Sequence, residues 1–152
     1  MTPSPPLVYF DANVFIAAFE STGAHSDHAW WVIRAIEAGE IVARTSELTL
    51  AELLVKPLER GMQDLVEAYK AMIATGPNFE VRPVSRDILI EAAAVRAQRA
   101  SVRLPDAVHI ATARSASCGF FVSEDRRLPM PKNITLLPVN PFTLDDIFGA
   151  GP

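Results

Sequence analysis

Leu7 to Phe10 is an apolar run that stops at an acid, Asp11. So short a run is too brief for a helix and reads as a buried strand, which puts Asp11 just past its carboxyl end. Ile41 to Ala43, "GFFVS" after Cys118 and Thr135 to Val139 have the same character. Phe79 to Val84 alternates apolar and polar residues, as a strand with one exposed face or an edge strand does.

Helical spacing fills the intervals. Ser26 can cap a helix carrying Trp30, Val32, Ile33 and Ile36 that Gly39 stops. Thr45 or Ser46 can cap the next, with Leu48, Leu50, Leu53 and Leu54, which Pro57 ends or bends. Leu65, Tyr69, Met72 and Ile73 belong to a third, closed at Gly76-Pro77, and Ser85 opens an alanine-rich helix to about Ala100. "LPDAVHIATARSA" supplies a last helix with Pro105 in its first turn. Short strands alternating with helices predict an α/β fold with a mainly parallel sheet flanked by helices on both faces. Residues 1–152 are expected to form a single domain, with 1–6 and 149–152 as flexible termini and Leu144 to Phe148 folded back on the body.

A chain that is 49% hydrophobic and 21% charged can build its own core. No basic start with an apolar core marks a signal peptide, and no run approaches the roughly 18 apolar residues of a membrane span. The single cysteine, Cys118, points to a reducing cytoplasm and the role of a small buried hydrophobe. A net charge of −4 argues against a broad basic face for nucleic acid. Local contact remains open, because Arg96, Arg99 and Arg103 cluster, as do Arg126 and Arg127.

In open parallel sheets ligands gather at the carboxyl ends of strands and the amino ends of the helices that follow. Asp11 follows the first strand, Glu52 lies early in the helix after the second, Asp106 opens a helix behind Pro105, and Asp125 lies just past Val122. Each has a plain structural explanation. Asp11 with Asn13 can make an Asx turn, Thr49 with Glu52 matches a capping box, Asp106 gains about 0.3 to 1 kcal/mol from the helix dipole, and Asp125 suits a surface turn. Glu52 and Asp106, however, sit within apolar "LAELLV" and "LPDAVHIA", where an unpartnered charge is costly. Carboxylates that converge need a cation, and an all-oxygen set without Cys or His spacing suits magnesium or manganese.

The stretches "VYFDANVFI", "TSELTLAELLVKP", "RLPDAVHIATA" and "FVSEDRRL" together resemble the PIN-domain nucleases, in particular the VapC-type toxins of bacterial toxin–antitoxin pairs. The resemblance spans nearly the whole chain. It implies a five-stranded parallel sheet, a carboxylate metal site and endonucleolytic cutting of RNA. Asp11, Glu52, Asp106 and Asp125 would hold Mg2+ or Mn2+, with Glu124 as the alternative fourth acid and Asn13, Ser46 and Ser123 in support. A water activated at the ion would attack a phosphodiester in line, leaving a 3′-hydroxyl and a 5′-phosphate, while Arg103, Arg126 and Arg127 contact RNA phosphates. A homodimer and a cognate antitoxin are also implied; a membrane is not. The competing reading is a non-catalytic RNA- or protein-binding module on a PIN scaffold, which would be marked by missing acids.

Other folds fit less well. A haloacid dehalogenase-type phosphatase wants an aspartate at position 13, which is Asn13; a receiver domain wants an acidic pair at the first strand and a lysine after a late one; a dinucleotide-binding fold wants a glycine-rich first turn. His109, one turn after Asp106, is expected to be a hydrogen-bonded histidine of an apolar helix, or else to face the site. His25 and His28 suit a solvated loop and cap. Trp30 and Trp31 offer base stacking, with core or dimer packing expected for at least one.

Overall fold

The computed structural model describes residues 4–139 and 146–147. Its elements follow in the order β1 (Leu7–Phe10), α1 (Asn13–Glu20), α2 (Ala24–Glu37), β2 (Val42–Ser46), α3 (Glu47–Glu59), α4 (Gln63–Met72), β3 (Phe79–Arg82), α5 (Arg86–Gln98), α6 (Leu104–Ser115), β4 (Phe120–Val122) and β5 (Thr135–Leu137). The strands form one sheet in the order β3-β2-β1-β4-β5, every neighbouring pair parallel. The expected α/β architecture is therefore present, with β3 an edge strand.

Strand side chains alternate between two cores. Val8 and Phe10 of β1 join Ala43, Val81 and Val122 on the face covered by α1, α2, α3 and α4. Tyr9 and Phe121 join Ile88, Ala92, Ala107 and Ile110 on the face covered by α5 and α6. Each large side chain so buried contributes about 1.5 to 3 kcal/mol. Cys118 lies in the second core, and burial pushes its thiol up to about 12. No buried side-chain polar atom among the described residues lacks a partner. None of the described helices is long and apolar enough to cross a membrane.

Local expectations need several corrections. α1 was not foreseen. α2 begins at Ala24 after Gly23, whose φ of 74° suits glycine, so Ser26 is not its cap; the Ser26 hydroxyl instead donates to the Ala18 carbonyl at 3.2 Å. β2 extends to Ser46 rather than ending at Ala43, and α3 runs two residues past Pro57. The alanine-rich α5 closes at Gln98, β3 at Arg82 and β5 at Leu137. Ile147 packs into the first core, whereas Leu144 and Phe148 lie outside the described residues. Trp30 is half-buried, donating its indole N–H to Ala18 O at 2.8 Å, and Trp31 stacks on His28.

Two hydroxyls fix the end of the sheet that matters below. Ser46, fully buried, caps α3 by accepting the Leu48 N–H at 3.0 Å, a bond worth about 1 kcal/mol. Thr45 donates to Phe10 O at 2.7 Å and meets the Thr49 hydroxyl at 2.7 Å. The last residue of β1 is thereby tied to the first turns of α3, one turn before Glu52.

Candidate active site at the carboxyl end of the sheet

β1 lies between β2 and β4, so the chain leaves it at the point where the strand order reverses, the place where α/β sheets open a crevice. Asp11 stands there. Asn13 clips its carboxylate, the backbone N–H donating to Oδ1 at 3.0 Å and the side-chain amide to Oδ2 at 3.2 Å. The Asx turn forms, and it leads into α1. Burial pushes the Asp11 carboxyl above its ordinary range, and the charge of Glu52 adds to this; the Asn13 N–H, the Ser123 hydroxyl and His109 pull the other way.

Asp106 lies in the first turn of α6. Burial raises its carboxyl too, reinforced by Asp125 and Glu52 against the opposing effects of His109 and Arg103. Glu52 is thus felt at both Asp11 and Asp106, and Asp125 at Asp106. A cavity of about 290 Å³ brings Asp106 and Asp125 together with Arg103 and Arg127. Asp125 Oδ1 accepts the Arg127 N–H at 3.0 Å, and the Arg127 guanidinium stands 3.5 Å away. The buried Ser123 hydroxyl accepts the Asp125 N–H at 3.2 Å. Glu124 turns the other way, its carboxylate 3.7 Å from His25 Nε2, and Arg126 is exposed without lining this cavity.

Glu52 projects from α3 with its side chain 37% exposed, and its Oε1 lies 2.6 Å from His109 Nε2. It is no capping-box residue, because α3 already begins at Glu47. His109, 3% exposed, places Nδ1 2.5 Å from the Tyr9 hydroxyl. Burial, then the charges of Asp11 and Glu52, push that hydroxyl well above its ordinary pKa. A carboxylate only accepts, so Nε2 carries a hydrogen and donates to Glu52, which in the neutral imidazole leaves Nδ1 to accept from the Tyr9 hydroxyl. His109 is both the hydrogen-bonded core histidine and a residue facing the acids. Tyr9, read from sequence only as a strand hydrophobe, is the other member of this chain; nothing in its local sequence marks it. Tyr9→Phe, which strands a buried imidazole nitrogen, is expected to cost about 1 to 3 kcal/mol in urea unfolding. An unchanged midpoint would mean that Nδ1 finds another donor.

Among the described residues no group of three or more His, Cys, Asp or Glu is drawn together closely enough to hold an ion; Glu52 is engaged by His109 and Asp125 by Arg127. The donor chemistry nonetheless suits a hard divalent cation: the four side chains offer only oxygen, and burial resists ionisation of Asp11 and Asp106, a cost that positive charge relieves.

A sequence profile of the PIN domain matches residues 8–132. The chain belongs to the PIN domain family. No curated protein sequence matches the chain. Solved structures similar to this PIN domain include a toxin–antitoxin complex from Klebsiella pneumoniae, 22% identical over 84% of this chain and 95% of that one, with a TM-score of 0.60. Mycobacterium tuberculosis VapC20, a sarcin–ricin-loop-cleaving toxin, is 18% identical over 80% of this chain and 92% of its own, with a TM-score of 0.64. VapBC2 from Rickettsia felis, bound to a DNA fragment from its promoter, is 14% identical over 87% of this chain and 98% of that one, with a TM-score of 0.65. At these identities the likeness establishes the fold, and the PIN sheet places Asp11, Asp106 and Asp125 at the same end of the molecule.

Proposed function

We propose that this PIN domain is a metal-dependent endoribonuclease and the toxin of a toxin–antitoxin pair, acting in the cytoplasm as a single-domain chain. The observation that carries this reading is a cavity lined by Asp106 and Asp125 at the carboxyl end of a PIN sheet, the end at which Asp11 follows β1. Asp11, Asp106 and Glu52 would hold Mg2+ or Mn2+, with Asp125 toward a second ion. Such an ion, when bound, supplies an acidified water and offsets charge on the pentacovalent phosphate. Asn13 and Ser123 hold the Asp11 and Asp125 segments in place, and Ser46 does the same for the start of α3. His109 holds the Glu52 carboxylate by a hydrogen bond, and the same carboxylate would be the ligand offered to the ion. Arg103 and Arg127, beside the acids, and the adjacent Arg126 would grip phosphates of the RNA. Asp125 is favoured over Glu124 because it shares a cavity with Asp106.

An antitoxin partner is supported by the toxin–antitoxin assemblies among the structural neighbours; the homodimer rests on the VapC resemblance of the sequence. The engagement of Glu52 by His109 and of Asp125 by Arg127 is the one observation favouring a non-catalytic binding module. The test incubates the purified chain, free of antitoxin, with a panel of structured RNAs in Mg2+ or Mn2+ beside EDTA. Cutting that EDTA abolishes is the expected result. A folded protein that cuts no RNA in either metal would turn the reading to the binding module.

A further inference from the structure

The chain carries −4 overall, yet residues 96–132 hold seven of its 14 Lys and Arg and only three of its 18 Asp and Glu, a local net of +4 that leaves −8 for the rest. This charge is not scattered. The cavity of about 290 Å³ at Asp106 adjoins, through Pro129, a second of about 190 Å³ lined by Arg99 and Arg114, and this one adjoins, through Gln98, Arg114 and Pro131, a third of about 660 Å³ lined by Lys132. Together they make a furrow that follows α6 from Asp106, passes Arg114 about 12 Å further along the helix, and ends at Gly119 and Asn133, just before β4 and β5 at the amino end of the strands. Arg99, Arg114 and Lys132 are exposed, and among the described residues no ion pair engages any of them. Between them Pro129, Met130 and Pro131, all half-buried, give the furrow an apolar side.

We propose that this furrow is the track for a single strand of RNA leading away from the cut site, with Arg99, Arg114 and Lys132 on successive phosphates. The inference rests on the ribonuclease reading and extends it, since the three cations lie beyond the carboxylate cavity. Spaced positive charge tracks a backbone without reading sequence, and the apolar side takes sugar and base faces. An acidic protein surface has no reason to continue into a cluster of carboxylates, whereas a strand whose scissile phosphate sits among them does.

The test titrates fluorescein-labelled oligouridylate into the full chain in EDTA, where no cutting intervenes, over a range of salt. Each single-strand phosphate contact contributes about −0.7 to the slope of log affinity against log salt. The triple variant Arg99→Gln/Arg114→Gln/Lys132→Gln is expected to bind at least tenfold more weakly and to flatten that slope by about 2. A control triple, Arg34→Gln/Arg60→Gln/Arg86→Gln, removes as many exposed cations elsewhere and is expected to leave the slope unchanged. An unaltered slope in the furrow variant, or equal flattening in the control, overturns the proposal and leaves the furrow to an acidic protein. Cutting in Mg2+, assayed in parallel, separates the two readings. Cutting with an unaltered slope removes the furrow alone, and the expected slopes without cutting remove the nuclease alone.

Discussion

Asp106→Asn is expected to lower RNA cutting at least about 10³-fold while leaving the chain as stable as before. Both halves of this expectation have the same origin. The Asp106 carboxyl is raised by burial and by repulsion from Asp125 and Glu52, so its ionised form opposes folding. Asparagine keeps the shape and removes that opposition, at the loss of about 0.3 to 1 kcal/mol of favourable interaction with the α6 dipole. The two effects leave the thermal midpoint within about 2 to 4 °C of wild type. Catalysis has no such compensation, because a preorganised charge removed from a reacting centre costs about 10² to 10³, and removal of a metal ligand adds to this. A second readout is independent of activity. Mg2+ should raise the thermal midpoint of the wild type by binding only the folded state, and should raise that of the variant much less. Full activity in Asp106→Asn would falsify the assignment of Asp106.

The largest expected effect on stability is that of Phe121→Ala. Phe121 is 1% exposed at the centre of β4, and its ring stacks on Tyr9 with centroids 4.9 Å apart and planes 27° from parallel. Truncation leaves a cavity that the sheet cannot close, at a cost of about 3 to 5 kcal/mol, and lowers the thermal midpoint by roughly 10 °C. The effect should extend beyond stability. Tyr9 loses the surface that sets its ring plane, so the hydroxyl that donates to His109 loosens, and with it Glu52. Cutting should therefore fall even at temperatures where the variant is folded. A variant with wild-type turnover below its unfolding transition would show that Glu52 needs no such orientation.

The α/β arrangement is legible in the sequence because parallel strands buried on both faces need unbroken apolar runs, and Leu7–Phe10 and Phe120–Val122 supply them. Where burial and polarity part company the reading fails. Thr45 and Ser46 belong to the interior strand β2, yet they look like the start of a helix; both are fully buried because their hydroxyls find Phe10 O and the Leu48 N–H. α1 escapes notice for the opposite reason. "NVFIAAF" is so apolar that no polar face marks a period, and it is indeed packed in the first core through Val14, Phe15, Ala17 and Ala18. Asp11, Asp106 and Asp125 were legible as positions, since the ends of β1 and β4 and the start of α6 could be located within a residue or two. Their partners were not. Tyr9 and His109 stand 100 residues apart in sequence, and Glu52 and His109 stand 57 apart, separations at which no local pattern carries information.

Those separations bear on when the protein can act during its own synthesis. Asp11 and Glu52 emerge from the ribosome early, but β1 takes its place between β2 and β4, and β4 is made only after α6 has delivered Asp106 and His109. A nascent chain that has reached only β3 possesses half of the acids and neither the helix nor the strand that brings them together. On the ribonuclease reading, competence for cutting is withheld until translation has passed Asp125, so such an enzyme would be harmless to the ribosome making it for most of the time it takes to make.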